Sequence, residues 1–524
     1  MTDPSSHPTL PRLAVGTVAT LLGIKLAAHV VTNIITPYEF HRDEFLYLAM
    51  GTHFRPLHMD FPPLMALLGN AARVFGDTSL FAVRMVPALT GTAIMLLMLL
   101  IVRELGGRKG AMLLAAAALF FSPLFLRTAN LFQPVVLDQL WWTLGFYALI
   151  KLQNSDDPRW WLVLGAAGGL GLLTKFSILF FGLAVLVGLL LTHRRKSFAG
   201  PWPWIAILVA VVIGLPSIVG QVNLGIPVVG QMQDLRAVQL QRTTLGDFLG
   251  SQLLFGPGLL LALIGVAGLL GHPDLSRYRV AAWVAIAAFA VLAALKGKGY
   301  YVGPIYPVLY AAGAVTLQQL AHARVRQLGQ WGIATLVIAW GLFSLPFGLP
   351  FLPPPTMARY AAATGITPAV TTNRGVVLRL PQDYGDMLAW RELVEGVARV
   401  YHALPEEDKA RTVLYGANYG EAGALDLYGP PLGLPPVVSM AGSFYFFGPG
   451  DKPGEVMLFV GVEREWVDDT CPSAEVATRV TAEWTVEEND VPVLVCREPT
   501  TTVQGVWERN PQAGTRSETQ RPEV

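Results

Sequence analysis

Eleven apolar segments of spanning or near-spanning length run along the first 350 residues, at 13–35, 81–102, 111–126, 135–152, 160–174, 176–192, 204–220, 252–271, 280–295, 300–320 and 331–349. About 20 apolar residues cross a bilayer core as a helix, and in lipid every backbone polar group must be satisfied within the segment or a closed barrel. Segments of this kind therefore commit the chain to a polytopic α-helical membrane fold, with the shorter ones leaving the boundaries soft. Composition agrees: 53% of the 524 residues are hydrophobic and 14% charged, against about a quarter charged in soluble proteins. A formal net charge of +1 gives no reason to expect a nucleic-acid partner.

Alternating the segments from a cytoplasmic N-terminus places the short basic turns at 103–109, 151–159, 194–196, 277–279 and 324–326 on one side. By the positive-inside rule that side is the cytoplasm. The other side receives the loops 36–80 and 221–250, the turns near 127–134 and 175, the stretch 296–301, and everything after about 350. The expected location is the cell inner membrane, multi-pass, with a C-terminal domain in the periplasm. The run 13–35 lacks a small-residue cleavage site and reads as a retained first helix. In the first external loop, PYEFHRDEFLYLAMGTHFRPLHMDFPPL interleaves aromatic and charged residues, as one or two helices in the interface plane would. The segment 230–250 has the same character.

The expected domains are a transmembrane part, 1–350, a periplasmic α/β domain, 357–500, and a disordered tail, 501–524. A Pro-rich hinge, LPFLPPPT, marks the first boundary. Beyond it the strand-like runs RTVLYGA, EVMLFVGV and VPVLVCRE alternate with the helix-like WRELVEGVARVYHAL and EAGALDLYG. The only two cysteines, Cys471 and Cys496, both fall in this domain, which in an oxidising compartment makes them a candidate disulfide.

Carboxylates gather on the external side: Asp43 with Glu44, Asp60 before Phe61-Pro62-Pro63, and Asp138 within QPVVLDQLWW. An ionisable group at membrane depth is a functional candidate, because desolvating it costs several kcal/mol, on the order of 3. Solvated interfacial faces and a turn before the prolines are the ordinary alternatives for Asp43, Glu44 and Asp60. Cations share that side: Arg42, Arg55, Arg84, Arg127, Lys175, Lys296 and Lys298. For Arg42 and Arg55 the ordinary role is contact with lipid head groups. Lys175 in GLGLLTKFSILFF and Lys298 in KGKGYYVGPIYP either snorkel or hold a phosphate. A carboxylate to take an acceptor proton, beside cations to stabilise a departing phosphate, is the equipment for sugar transfer from a lipid phosphate.

The string HRDEFLYLAMGTHF…MDFPPL, then a span containing Asp138, then LLTKFS and KGYYVGPIYPVLYAAGA, resembles the bacterial relatives of the protein O-mannosyltransferases and the lipid A aminoarabinose transferases. ANYGEAGALDLYGPPLGLPPVVS resembles uncharacterised bacterial members, so the likeness spans about 10–450. It implies the C-type glycosyltransferase fold, a polyprenyl-phosphate sugar donor and inversion at the anomeric carbon. By position it implies Asp43 as the catalytic carboxylate with Glu44 beside it. Asp60, Asp138, Arg127, Lys175, Lys298, Tyr300 and Tyr301 become the expected substrate-binding set. The stretch SMAGSFYFFGPG departs from relatives in lacking His and Asn, which leaves the acceptor open among protein, lipid and glycan hydroxyls. A divalent metal is needed by some relatives, yet His41, His53 and His58 form no specific ligand pattern. The competing readings are a transporter or flippase of lipid-linked substrates, which favours inverted repeats not visible here, and a non-catalytic envelope assembly protein.

Overall fold

A computed structural model describes residues 10–511 and 513, except 77, 156, 239, 241–242, 373–374 and 487–488. The chain forms two compact units.

The first unit comprises Met1–Ile35, Arg84–Pro216 and Arg242–Leu349. Each apolar segment read from the sequence contains helix, but not every helix is a full crossing. Among the described residues, five are long and apolar enough to span on their own: Val15–Ile35, Leu80–Glu104, Trp202–Asn223, Pro273–Ala294 and Ala323–Gly348. Helix Ile178–Leu190 continues into His193–Ala199 only after a bend of 106°. Lys109–Phe120, Trp160–Leu172 and Gly258–Gly271 are shorter apolar helices. Prolines explain several interruptions. Pro123 opens a separate helix, Pro123–Thr128, and Pro304 lies in the 3-10 turn Gly299–Ile305 ahead of Tyr306–Gln319, each lacking the N–H that a continuing helix would need.

Small residues set the closest packing in this unit. A Cβ at Gly265 would collide with the carbonyl of Leu309, and one at Gly313 with that of Leu261, so helices Gly258–Gly271 and Tyr306–Gln319 meet backbone to backbone, as small residues permit in lipid. At the basic-turn end, Glu104 is buried at 1% exposure. It pairs with Lys151 at 3.2 Å and accepts from Asn154 Nδ2 at 3.0 Å, while Tyr278 Oη donates to the Glu104 carbonyl at 2.9 Å.

The second unit gathers three stretches, Thr36–Val83, Ser217–Gln241 and Pro350–Val524. Its sheet has the order β2-β1-β3-β5-β4, with β1 Thr412–Gly416, β2 Val437–Val438, β3 Val456–Val460, β4 Glu475–Thr481 and β5 Asp490–Arg497. β1 runs parallel to β2 and β3, and β5 is antiparallel to β3 and β4. Val413, Tyr415, Met457, Phe459, Leu494 and Cys496 belong to one core cluster of this sheet. Cys471 and Cys496 are disulfide-bonded. The expected tail from 501 begins instead as helix Val503–Arg509, whose Val503, Val506 and Trp507 join that core; residues 514–524 lie outside the described residues.

The first loop is folded onto the C-terminal stretch of this unit. Helices Arg42–Thr52 and Leu64–Arg73 occupy it. The Glu39 N–H donates to the Met387 carbonyl at 2.9 Å, and Arg42 N–H to that of Asp386 at 3.1 Å. Phe45 lies 5.3 Å from Trp390 and 5.7 Å from Tyr428, ring centre to ring centre. The amphipathic 230–250 segment is not one helix: Pro227–Val238 ends within the second unit and Leu245–Ser251 starts afresh in the first.

Candidate functional site

The second unit builds a carboxylate site from the start of helix Arg42–Thr52. His41 is its N-cap: Nδ1 accepts the Asp43 N–H at 3.1 Å, while the Glu44 carboxylate reaches back to the His41 N–H at 2.8 Å. This is a capping box, with His in the place usually held by Ser or Thr. Glu44, 0% exposed, is thereby committed to the helix start. Asp43 is different, being half-buried. Its Oδ1 accepts the Tyr419 hydroxyl at 2.7 Å.

Asp60 is buried at 1% exposure in the same unit. The amide of Gln231 donates to its Oδ2 at 3.2 Å and that of Gln221 to its carbonyl. The neighbouring backbone is held as well, with Asn223 Nδ2 donating to the Leu57 carbonyl at 2.8 Å. Burial lifts the Asp60 carboxyl from 3.8 to about 6, against the pull of the Ser443 hydroxyl, backbone N–H groups and Gln231. Tyr47, one turn after Asp43, has its phenol pushed well above the usual range by burial and then by the charges of Asp43 and Asp60. It stays a neutral donor at any physiological pH. Arg55 and His58 are exposed, and His53 stacks on Phe447 at 4.4 Å and lies 3.6 Å from Asp426.

One group among the described residues has the spacing for a cation, His41 with Asp383 and Asp386. Its Nε2 lies 3.8 and 3.7 Å from the two carboxylates. Burial lowers the pKa of the His41 ring, but the carboxylates of Asp383, Asp43 and Asp386 outweigh it and raise the pKa from 6.5 to about 9. A cation at Nε2 would have to displace the proton that these carboxylates hold there.

The first unit brings together another part of the expected set. Asp138, at 4% exposure, accepts from Trp142 Nε1 at 3.1 Å. It interacts electrostatically with Lys175, whose ammonium lies 4.8 Å from the Tyr301 ring centre, with Tyr300 edge-on to Tyr301 at 4.8 Å. Thr174, next to Lys175, accepts from Trp141 Nε1 at 2.8 Å. Arg127 donates to the Phe347 carbonyl at 3.3 Å, at the end of helix Ala323–Gly348. Lys298 stands just before the 3-10 turn.

Two sets of residues escaped the sequence reading. Tyr419 lies 376 positions from Asp43 and carries no local signal. Lys25, His29 and Asn33 form a buried polar stripe on helix Val15–Ile35, where Lys25 Nζ donates to the Phe125 carbonyl at 3.1 Å. Their i, i+4 spacing inside an apolar run was the available signal.

The sequence profile described as dolichyl-phosphate-mannose-protein mannosyltransferase matches residues 60–219. The structure is similar to ArnT from Cupriavidus metallidurans bound to undecaprenyl phosphate, with a TM-score of 0.62 at 15% identity, covering 92% of this chain and 98% of that one. The chain has an ArnT-like fold. A second likeness is to the archaeal oligosaccharyltransferase AglB from Archaeoglobus fulgidus in complex with an inhibitory peptide and a dolichol-phosphate: TM-score 0.52, 12% identity, 86% of this chain and 70% of that one. No match was found among curated proteins. The resemblance first read from the loop motifs is thus borne out by the mannosyltransferase profile and by the ArnT-like fold.

Proposed function

We propose that this chain is an inverting membrane glycosyltransferase that moves a sugar from a polyprenyl-phosphate donor to an acceptor hydroxyl on the periplasmic side of the inner membrane. The observation that carries the reading is Asp43: a half-buried carboxylate, fixed at a capped helix start, with one oxygen held by Tyr419. The acceptor oxygen attacks the anomeric carbon as its proton passes to Asp43. The bond from that carbon to the phosphate oxygen breaks, and its electron pair leaves on the polyprenyl phosphate. One displacement inverts the anomeric centre and needs no glycosyl-enzyme intermediate. Glu44 serves this chemistry by holding the helix start, so Asp43 alone is the base. Lys175, with Tyr301 beside it, and Lys298 supply positive charge for the departing phosphate, the role cations play in such transfers. Asp60 and Asp138 belong to substrate binding, and Arg127 and Tyr300 support the donor-binding group.

The test is transfer of label from polyprenyl-phosphate sugars, with purified protein in nanodiscs and an envelope extract as the acceptor pool. Wild type is expected to move label to an acceptor and Asp43→Asn to lose at least about 100-fold of that rate with the same melting temperature. A mutant as active as wild type, or a protein that carries donor across vesicles without transferring its sugar, rejects the proposal.

A further inference from the structure

The geometry points to Tyr419 as a positioning residue for Asp43, through which the C-terminal stretch of the second unit aims the proposed base. The inference rests on the reading of Asp43 given above. Three features of the sequence fix this phenol. Asn418 caps helix Tyr419–Tyr428, its Oδ1 accepting the N–H groups of Gly420 at 2.8 Å and Glu421 at 3.0 Å. Glu421 answers by accepting the Ala417 N–H at 2.9 Å and the Asn418 N–H at 3.2 Å. This second capping box sets where the helix begins and so the direction in which Tyr419 leaves it.

Glycines set the distance. A Cβ at Gly423 would stand 2.6 Å from the Phe45 Cβ, and one at Gly420 would stand 3.2 Å from the Arg42 Cβ and 2.8 Å from the Trp390 ring. Helices Tyr419–Tyr428 and Arg42–Thr52 therefore touch at near-backbone range on the side that carries Asp43, and no long, adaptable side chain separates them. The third feature is the Arg42 guanidinium, 4.9 Å from the Tyr419 ring centre, a cation–π contact that restrains the ring. Both helix starts and the ring between them are fixed, and the hydroxyl falls 2.7 Å from Asp43 Oδ1.

The chemical consequence follows from donor counting. The Tyr419 hydroxyl has one hydrogen, and it is given to Oδ1. Rotation of the carboxylate is thereby restrained, which sets the direction in which Oδ2 points. Tyr419 neither gains nor loses a proton during transfer. It acts by orientation, through the hydrogen bond it donates to Asp43.

The experiment uses full-length protein in nanodiscs and a panel of labelled undecaprenyl-phosphate hexoses and pentoses, following release of undecaprenyl phosphate. Tyr419→Phe keeps the ring and its contact with Arg42 and removes only the donor. It is expected to lower kcat by about 10- to 100-fold, in keeping with the cost of misaligned reacting groups. The KM for donor should stay within about 2-fold. In the Asp43→Asn background the same change should have no further effect. A Tyr419→Phe protein with wild-type kcat overturns the proposal, as does one whose only defect is a lower melting temperature. If wild type consumes none of the donors, the transferase reading fails, and the contact is judged by a thermal double-mutant cycle of Asp43→Asn with Tyr419→Phe. Non-additive melting shifts then uphold the pairing, and strictly additive shifts overturn it.

Discussion

Asp60 offers the sharpest quantitative test, because its burial sets a cost that depends on pH. The carboxyl is lifted by burial from 3.8 to about 6, even with the Ser443 hydroxyl and the Gln231 amide drawing it back. At about 1.36 kcal/mol per pH unit, ionising this group in the folded chain costs about 3 kcal/mol more than in the unfolded chain. The sign follows from proton binding: the folded state holds the Asp60 proton more tightly, so stability falls as pH rises through the window from 3.8 to about 6. Below that window the cost is absent, and above it the cost is complete. Asp60→Asn cannot ionise, and its amide oxygen can still accept from Gln231. The variant should therefore be the more stable protein at about pH 7.5, by up to about 3 kcal/mol, a shift of about 3 °C in melting temperature for a chain of this length. The gap should close as pH falls toward about 4. Tryptophan-fluorescence melting in nanodiscs at a fixed scan rate, from about pH 4 to pH 8, measures it, the fixed rate guarding against irreversible unfolding. A gap that does not change with pH, or a wild type more stable than the variant at about pH 8, refutes the reasoning. The same variant should transfer sugar poorly, since a destabilising buried charge is the kind of feature that function retains.

Two further outcomes follow from the packing. Glu104→Ala should lower stability by about 3 kcal/mol, the usual cost of removing one member of a buried charge network, because Lys151, Asn154 and the nearby Tyr278 lose their common centre. Thermal melting and expression level report it, and an unchanged melting temperature would count against the network. Cys496→Ser should destabilise the second unit by about 3 kcal/mol, from the loop of 25 positions it opens. Its effect should be reproduced by a reductant on wild type but not on the variant, and a reductant that also lowers the variant's melting temperature would show a different cause.

What could be read from the sequence follows the length scale of each interaction. Lipid forces the helices to satisfy their own backbone groups, so each apolar run declared itself without knowledge of its neighbours. The number of complete crossings did not, because Pro123, Pro304 and the 106° bend after Leu190 break runs whose composition is unbroken. In the sheet, β1, β3 and β5 were legible as apolar runs buried on both faces, whereas β2 has two residues and β4 is largely exposed, with its Glu and Arg giving it the look of a loop. Asp43 was singled out through the family likeness, with Glu44 beside it as a second catalytic carboxylate. The capping role that the structure gives Glu44 was not legible, because H-x-x-E carries His where the capping-box pattern has Ser or Thr.

The partners of the site were out of reach for a different reason. A carboxylate in the first loop, a phenol 376 positions later and glutamines at 221 and 231 are joined only by the folding of three distant stretches into one unit. No periodicity or local propensity encodes such a meeting. The glycines at 420 and 423 hint at it, since a helix with two small residues three apart has given up side-chain packing to let something come close. What comes close is the helix bearing Asp43. Gly423→Leu is incompatible with the Phe45 contact, so any loss of transfer it causes would arise by displacing that helix. Tyr419→Phe leaves the backbone where it is and removes one hydrogen. The difference between the two separates the packing that brings the proposed base into place from the hydrogen bond that aims it.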